Sequence, residues 1–114
     1  MFLIQQITDS LTRDLLHPQY KNLRAHPLTG HCYVASEVLY HLWGKQNGYK
    51  PACMSHEGSV HWFLRNTITD HVIDITAGQF QTVPDYSRAR GCGFLTKQPS
   101  KRAQVVFRRM EQHV

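Results

Sequence analysis

Cys32, His61 and Asp74 are the residues of this chain whose types and order suit chemistry. Cys32 follows Thr29-Gly30-His31, at what reads as the first turn of an amphipathic helix, where backbone N–H groups still lack acceptors. A thiolate there is stabilised by the helix dipole and by those N–H groups, which also suit the oxyanion formed when an acyl carbon is attacked. An imidazole beside a carboxylate supplies the rest. The carboxylate holds one ring nitrogen and fixes the tautomer, while the other nitrogen exchanges a proton with the thiol. The residues divide into nucleophile (Cys32), general base and acid (His61) and orienting group (Asp74).

This division requires His61 and Asp74 to meet. "SVHWFLRN" and "HVIDIT" carry β-branched and aromatic residues and read as the two arms of a hairpin. With Arg65 facing Asp70 around the loop, Trp62 faces Ile73 and Val60 faces Ile75 on one side of the sheet. On the other side Phe63 faces Val72 and His61 faces Asp74. A slip by one residue sends each apolar set to the wrong face. The pattern therefore predicts His61 beside Asp74, with Cβ atoms about 4.5–5.5 Å apart.

The remaining elements frame this hairpin. Leu3, Ile4, Ile7, Leu11 and Leu15 recur at helical spacing and predict a helix over 3–16. "HPQYKNLRAHPLTG" is irregular, broken by Pro18 and Pro27. A second helix over 32–43 presents Val34, Ala35, Val38, Leu39 and Leu42 as one stripe, with Gly44 as its left-handed C′ residue and Gln46-Asn47-Gly48 turning the chain. "YKPACMSH" reads as a short strand. "AGQFQTVPDYSRARGCGFLTKQP" reads as a loop over the domain surface, with a helical turn near Ala77 to Phe80. Asp85, Tyr86 and Arg88 in it are candidates for substrate contact, with a surface loop as their ordinary reading. Ser100 is a good N-cap for a last helix with Ala103, Val106, Phe107 and Met110 inward. The order α, α, β, β, β, α with short connections predicts an α+β fold, its antiparallel sheet packed on helices from one side.

At 114 residues, with 41% hydrophobic and 18% charged residues, the chain reads as one globular domain over 1–114. There is no apolar run of the roughly 18 residues a membrane helix needs. "MFLIQQITDS" lacks the basic start and small-residue cleavage site of a signal peptide. The cysteines are Cys32, Cys53 and Cys92, an odd count with no CxxC pair. These features predict free thiols and a cytoplasmic setting, with Cys53 a buried inert thiol and Cys92 in a tight loop. The net charge of +5 admits an anionic partner, through the basic end of the chain in particular.

"GHCYVASEVLYHLWG", "VHWFLRN" and "VIDITAGQF" are together similar to small bacterial and phage proteins of the YunG-like type. These look like compact members of the papain-like superfamily, which includes NlpC-type peptidases and transglutaminase-like enzymes. The resemblance implies a papain-like fold in which the helix that opens with Cys32 packs on a small antiparallel sheet, flanked by the terminal helices. It implies Cys32, His61 and Asp74 as the triad and no cofactor. The implied activity is thiol-dependent chemistry on an amide or related acyl bond, by hydrolysis or acyl transfer: peptidase, amidase, deamidase or acyltransferase. "GCGFLTKQPSKRAQ" also resembles a tract of related phage-type proteins, with no role attached to it. One departure concerns the oxyanion donor. Papain-like peptidases usually carry one, often Gln, a few residues before the cysteine, and "LRAHPLTGH" has none there. Gln19, Asn22 and His31 are the candidates. The short chain also leaves little material for a long cleft, which favours a small amide or a single exposed bond of a protein or peptide.

Each feature also has an ordinary structural reading. A free cysteine in a helix is most often a small core residue, His61 can be a strand histidine, and Asp74 can pair with an arginine. His31, Cys32, His56 and His61 raise the question of a metal, but no HExxH, CxxC or single-face HxxxH spacing is present. His56 reads as lining the entrance to the site or sitting in a solvated turn. The rival to an enzyme is a non-catalytic basic protein on an inert papain-like core. It would bind nucleic acid or an acidic partner through Lys97, Lys101, Arg102, Arg108 and Arg109.

Overall fold

Two consecutive eight-residue strands form the spine of the fold. β1 (Tyr49–His56) and β2 (Ser59–Asn66) pair antiparallel along their whole length, from Tyr49 opposite Asn66 to His56 opposite Ser59. Glu57 and Gly58 join them with left-handed backbone at both positions (φ 48° and 82°). That turn has the twist that matches the strands it connects. The computed structural model describes residues 2–12, 31–94 and 97–111. β3 (Val72–Ile73) adds to β2 and β4 (Arg90–Gly91) adds to β1, giving a four-stranded antiparallel sheet in the order β3-β2-β1-β4. Three helices complete the α+β architecture: α1 (Phe2–Asp9), α2 (Cys32–Leu39) and α3 (Lys101–Glu111).

Alternation of side chains along the strands gives the sheet two buried faces. On one, Tyr49 and Leu64 pack with Val34, Val38 and Leu39 of α2 and with Ala103 and Val106 of α3. On the other, Ala52, Met54 and Phe63 form a second small core with Val72, Tyr86 and Ala89. The covering layer here is the long segment between β3 and β4. It contains two short 3₁₀ turns, Ala77–Gln79 and Tyr86–Arg88.

The hairpin register differs from expectation. Arg65 faces Val72 and Leu64 faces Ile73, two residues away from the predicted pairing. The cause is the loop. Asn66 N–H donates to the His71 carbonyl at 2.8 Å, and Asn66 Oδ1 accepts from the N–H groups of Ile68 and Thr69. The four-residue loop is therefore 67–70, one position later than assumed, with Asp70 left-handed at φ 61°. A shift of two leaves every residue on its predicted face. The second arm also stops early: only Val72–Ile73 is strand, and Ile75-Thr76 turns into the first 3₁₀ segment.

Further corrections concern the helices. α1 ends at Asp9 rather than residue 16. Ser10 N–H and Leu11 N–H tighten onto carbonyls three residues back, and Arg109 takes the Ser10 carbonyl at 3.0 Å and Thr12 Oγ1 at 2.7 Å. Leu15, predicted on the same stripe, lies outside the described residues. α2 passes into a π turn at Tyr40–Gly44 and a 3₁₀ turn at Lys45–Asn47. The wider π turn shifts the phase of the stripe, so that Leu42 is 41% exposed. Gly44 is right-handed (φ −63°), and Gly48 (φ 83°) is the left-handed residue that ends the run. Gly44 is instead a close approach: a Cβ there would stand 3.0 Å from Leu64 Cδ1.

Cys53 and Cys92 form a disulfide, contrary to the free thiols expected; Cys32 is the free cysteine. β4 explains the pairing. Arg90 lies opposite Cys53, and Cys92 N–H donates to the Pro51 carbonyl at 3.2 Å, which brings two cysteines 39 positions apart in the chain to the same sheet edge. The predicted reduced setting rested on free thiols, and structural disulfides persist in oxidising surroundings. No helix among the described residues is long and apolar enough to cross a membrane.

Candidate functional site

α2 opens at Cys32, as its sequence predicts. The N-cap is His31, 1% exposed, whose side chain does not cap the helix. Ala35 N–H makes the first intrahelical bond, to the His31 carbonyl at 2.9 Å, so the N–H groups of the first turn have no acceptor within α2. Cys32 is half-buried, and its Sγ lies 3.9 Å from the carbonyl oxygen of Val60, the residue before His61.

His61 is fully buried, and its Nε2 stands 2.6 Å from Asp74 Oδ2. The contact survives the shifted register because His61 and Asp74 keep the same face and the pair reaches diagonally. Asp74 is the first residue past β3, where the chain leaves the sheet. With Nε2 held by Asp74, Nδ1 is the nitrogen left to exchange a proton; it is buried and makes no hydrogen bond among the described residues. Burial alone drives the ring toward neutrality. The hydrogen bond to Asp74, then the interaction with the Cys32 thiol, and the charges of both outweigh it and raise the ring to about 9. The imidazolium is thus the favoured form at neutral pH.

Tyr86, a surface-loop position by its sequence, is a further member of this chain of contacts. Its hydroxyl donates to the same Asp74 Oδ2 at 2.7 Å, and its ring meets Phe63 edge-on at 4.9 Å. Burial, followed by the bond to Asp74 and its charge, pushes the phenol above its ordinary range, so Tyr86 stays a donor. A local signal existed: Asp85 Oδ1 accepts from Ser87 N–H and Oγ–H at 3.2 and 2.6 Å, which sets the short turn carrying Tyr86. That signal reports a turn and says nothing of where the phenol points.

Phe80 stands edge-on to His61 at 4.6 Å and to His56 at 4.7 Å, shielding the imidazole. The segment carrying it is fastened to the β1–β2 turn. Glu57 accepts from Thr82 Oγ1 at 2.8 Å and Thr82 N–H at 3.0 Å, and these bonds hold its carboxyl below the usual range. His56 joins this fastening through the Thr82 carbonyl at 3.1 Å, so it lies beside the site. Of the candidate oxyanion donors, His31 directly precedes Cys32, and Gln19 and Asn22 lie outside the described residues. Among the described residues no group of three or more His, Cys, Asp or Glu is placed to hold a metal ion. On α3, Arg109 is committed to Ser10 and Thr12, while Lys101 and Arg108 are exposed.

Neither protein-family models, curated proteins nor solved structures contain a match to this chain.

Proposed function

We propose that this protein carries out thiol-dependent acyl chemistry on an amide or related acyl bond, through Cys32, His61 and Asp74 on a papain-like arrangement. The observation that carries the reading is the buried His61–Asp74 bond of 2.6 Å, with the half-buried free thiol of Cys32 3.9 Å from the carbonyl oxygen of Val60, the residue before His61. A ring whose proton affinity is raised to about 9 is suited to draw the proton from the thiol and form a thiolate–imidazolium pair.

The Cys32 thiolate attacks the acyl carbon and forms a C–S bond. The oxyanion that develops is met by first-turn N–H groups of α2. The C–N bond breaks as His61 gives its proton to the leaving amine, and a thioester remains on Cys32. Water or a second amine then attacks the thioester. His61 takes the incoming proton and returns it to the departing sulfur. Asp74 keeps Nε2 engaged throughout, and Tyr86 keeps Asp74 in place.

Iodoacetamide labelling without reductant, read residue by residue by mass spectrometry, tests the proposal. Cys32 is the expected target, since Cys53 and Cys92 are tied to each other. His61→Ala is expected to slow the labelling by about tenfold or more at neutral pH. An unchanged rate in that variant removes the basis for the mechanism.

A further inference from the structure

Away from Cys32, a cleft of about 530 Å³ opens beside the β1–β4 edge. Three lysines from separate stretches line it: Lys45 in the 3₁₀ turn after α2, Lys50 in β1 and Lys97 ahead of α3. Among the described residues no carboxylate lines the cleft, and the ion pairs both involve a histidine instead of these ammonium groups. Like charges brought together on a concave wall without counter-charges concentrate a positive potential.

A second observation is independent of charge. Apart from the ring of His41, the rest of the wall is apolar or bare backbone. Tyr40, Pro51 and Phe94 supply the apolar part, and a Cβ on Gly91 or Gly93 would meet nothing within 4 Å. The volume falls in the range of clefts that hold small organic ligands.

We propose that this cleft binds a small organic phosphate of about nucleotide size. The phosphate engages the lysine ammonium groups, and the remainder lies along Tyr40, Pro51 and Phe94. The site is separate from the thiol chemistry and stands whether or not Cys32 is a nucleophile.

Calorimetric titration of the full chain with adenosine 5′-monophosphate tests it, with adenosine and inorganic phosphate as its two halves. The expected result is saturable 1:1 binding, about tenfold or more tighter than either half. The combined change Lys45→Gln, Lys50→Gln, Lys97→Gln alters only exposed side chains and is expected to weaken binding by about tenfold or more, with an unchanged circular dichroism spectrum. No saturable binding by the parent overturns the proposal, as does equal affinity in the triple variant. An eight-nucleotide single strand binding about a hundredfold tighter than the mononucleotide also overturns it, in favour of an extended nucleic-acid surface.

Discussion

The molecule buries two carboxylates on opposite faces of its sheet, and it uses them differently. Glu37, on the helix face, is 0% exposed, and Ser100 occupies both of its oxygens: Oε1 accepts the hydroxyl at 2.6 Å and Oε2 accepts the backbone N–H at 2.7 Å. Ser100 in turn caps α3 through Ala103 N–H at 3.2 Å. The whole unit ties α2 to the start of α3. Asp74, on the face covered by irregular chain, concentrates its bonds on one oxygen. His61 and Tyr86 both meet Oδ2, and Oδ1 has no partner among the described residues. A carboxylate with both oxygens bonded to a capping residue belongs to the scaffold. One that is bonded to a titrating ring, next to a thiol, holds a proton in position. The difference lies in the partners, because both side chains are all but hidden from water, Glu37 at 0% and Asp74 at 4% exposure.

Substitutions at the two sites should separate these uses. Asp74→Ala should slow alkylation of Cys32 by about a hundredfold at neutral pH, since the buried ring loses the group that keeps it protonated. Glu37→Ala should leave that rate within about threefold, because its contacts end at Ser100. Comparable slowing by both would dissolve the contrast. In urea denaturation the order reverses its meaning: Glu37→Ala leaves the Ser100 N–H and hydroxyl without their acceptor and should cost about 1–3 kcal/mol of stability.

Titration gives a third measure. His61 is raised from 6.5 to about 9 in the folded chain. Folding therefore favours the protonated ring. The stability this contributes is full below the unfolded value near 6.5 and is lost as the pH rises through about 9. The His61 ring signals followed by NMR should show a midpoint near 9, and Asp74→Asn should bring that midpoint down. A midpoint near the ordinary histidine value would mean that Asp74 and Cys32 do not govern the ring. The smallest expected effect is that of Tyr86→Phe, which keeps the ring on Phe63 and removes one hydroxyl bond. A loss of about 0.5–1.5 kcal/mol in stability is expected, together with a small fall in the His61 midpoint. A purely packing role would leave the midpoint where it was.

Much of this framework is written in short-range pattern. "YKPACMSH" and "SVHWFLRN" match β1 and β2 from first residue to last, Cys32 opens α2, and Ser100 caps α3. Alternation, helical period and cap chemistry are set by residues within a few positions of each other, so they can be read in order along the chain. The faces of His61 and Asp74 were legible for the same reason, because parity survives any even slip.

What could not be read is the choice among arrangements that satisfy those patterns equally. Two registers place His61 and Asp74 on one face, and the hydrogen bonds of Asn66 around the 67–70 loop select between them. The short β4 has no periodicity to announce it, yet it brings Cys92 to Cys53. Tyr86 and Glu37 find Asp74 and Ser100 across 12 and 63 positions. Such meetings depend on how separate segments stack once the core closes. Their energies belong to pairs of distant groups in three dimensions, and no local stretch of chain carries them.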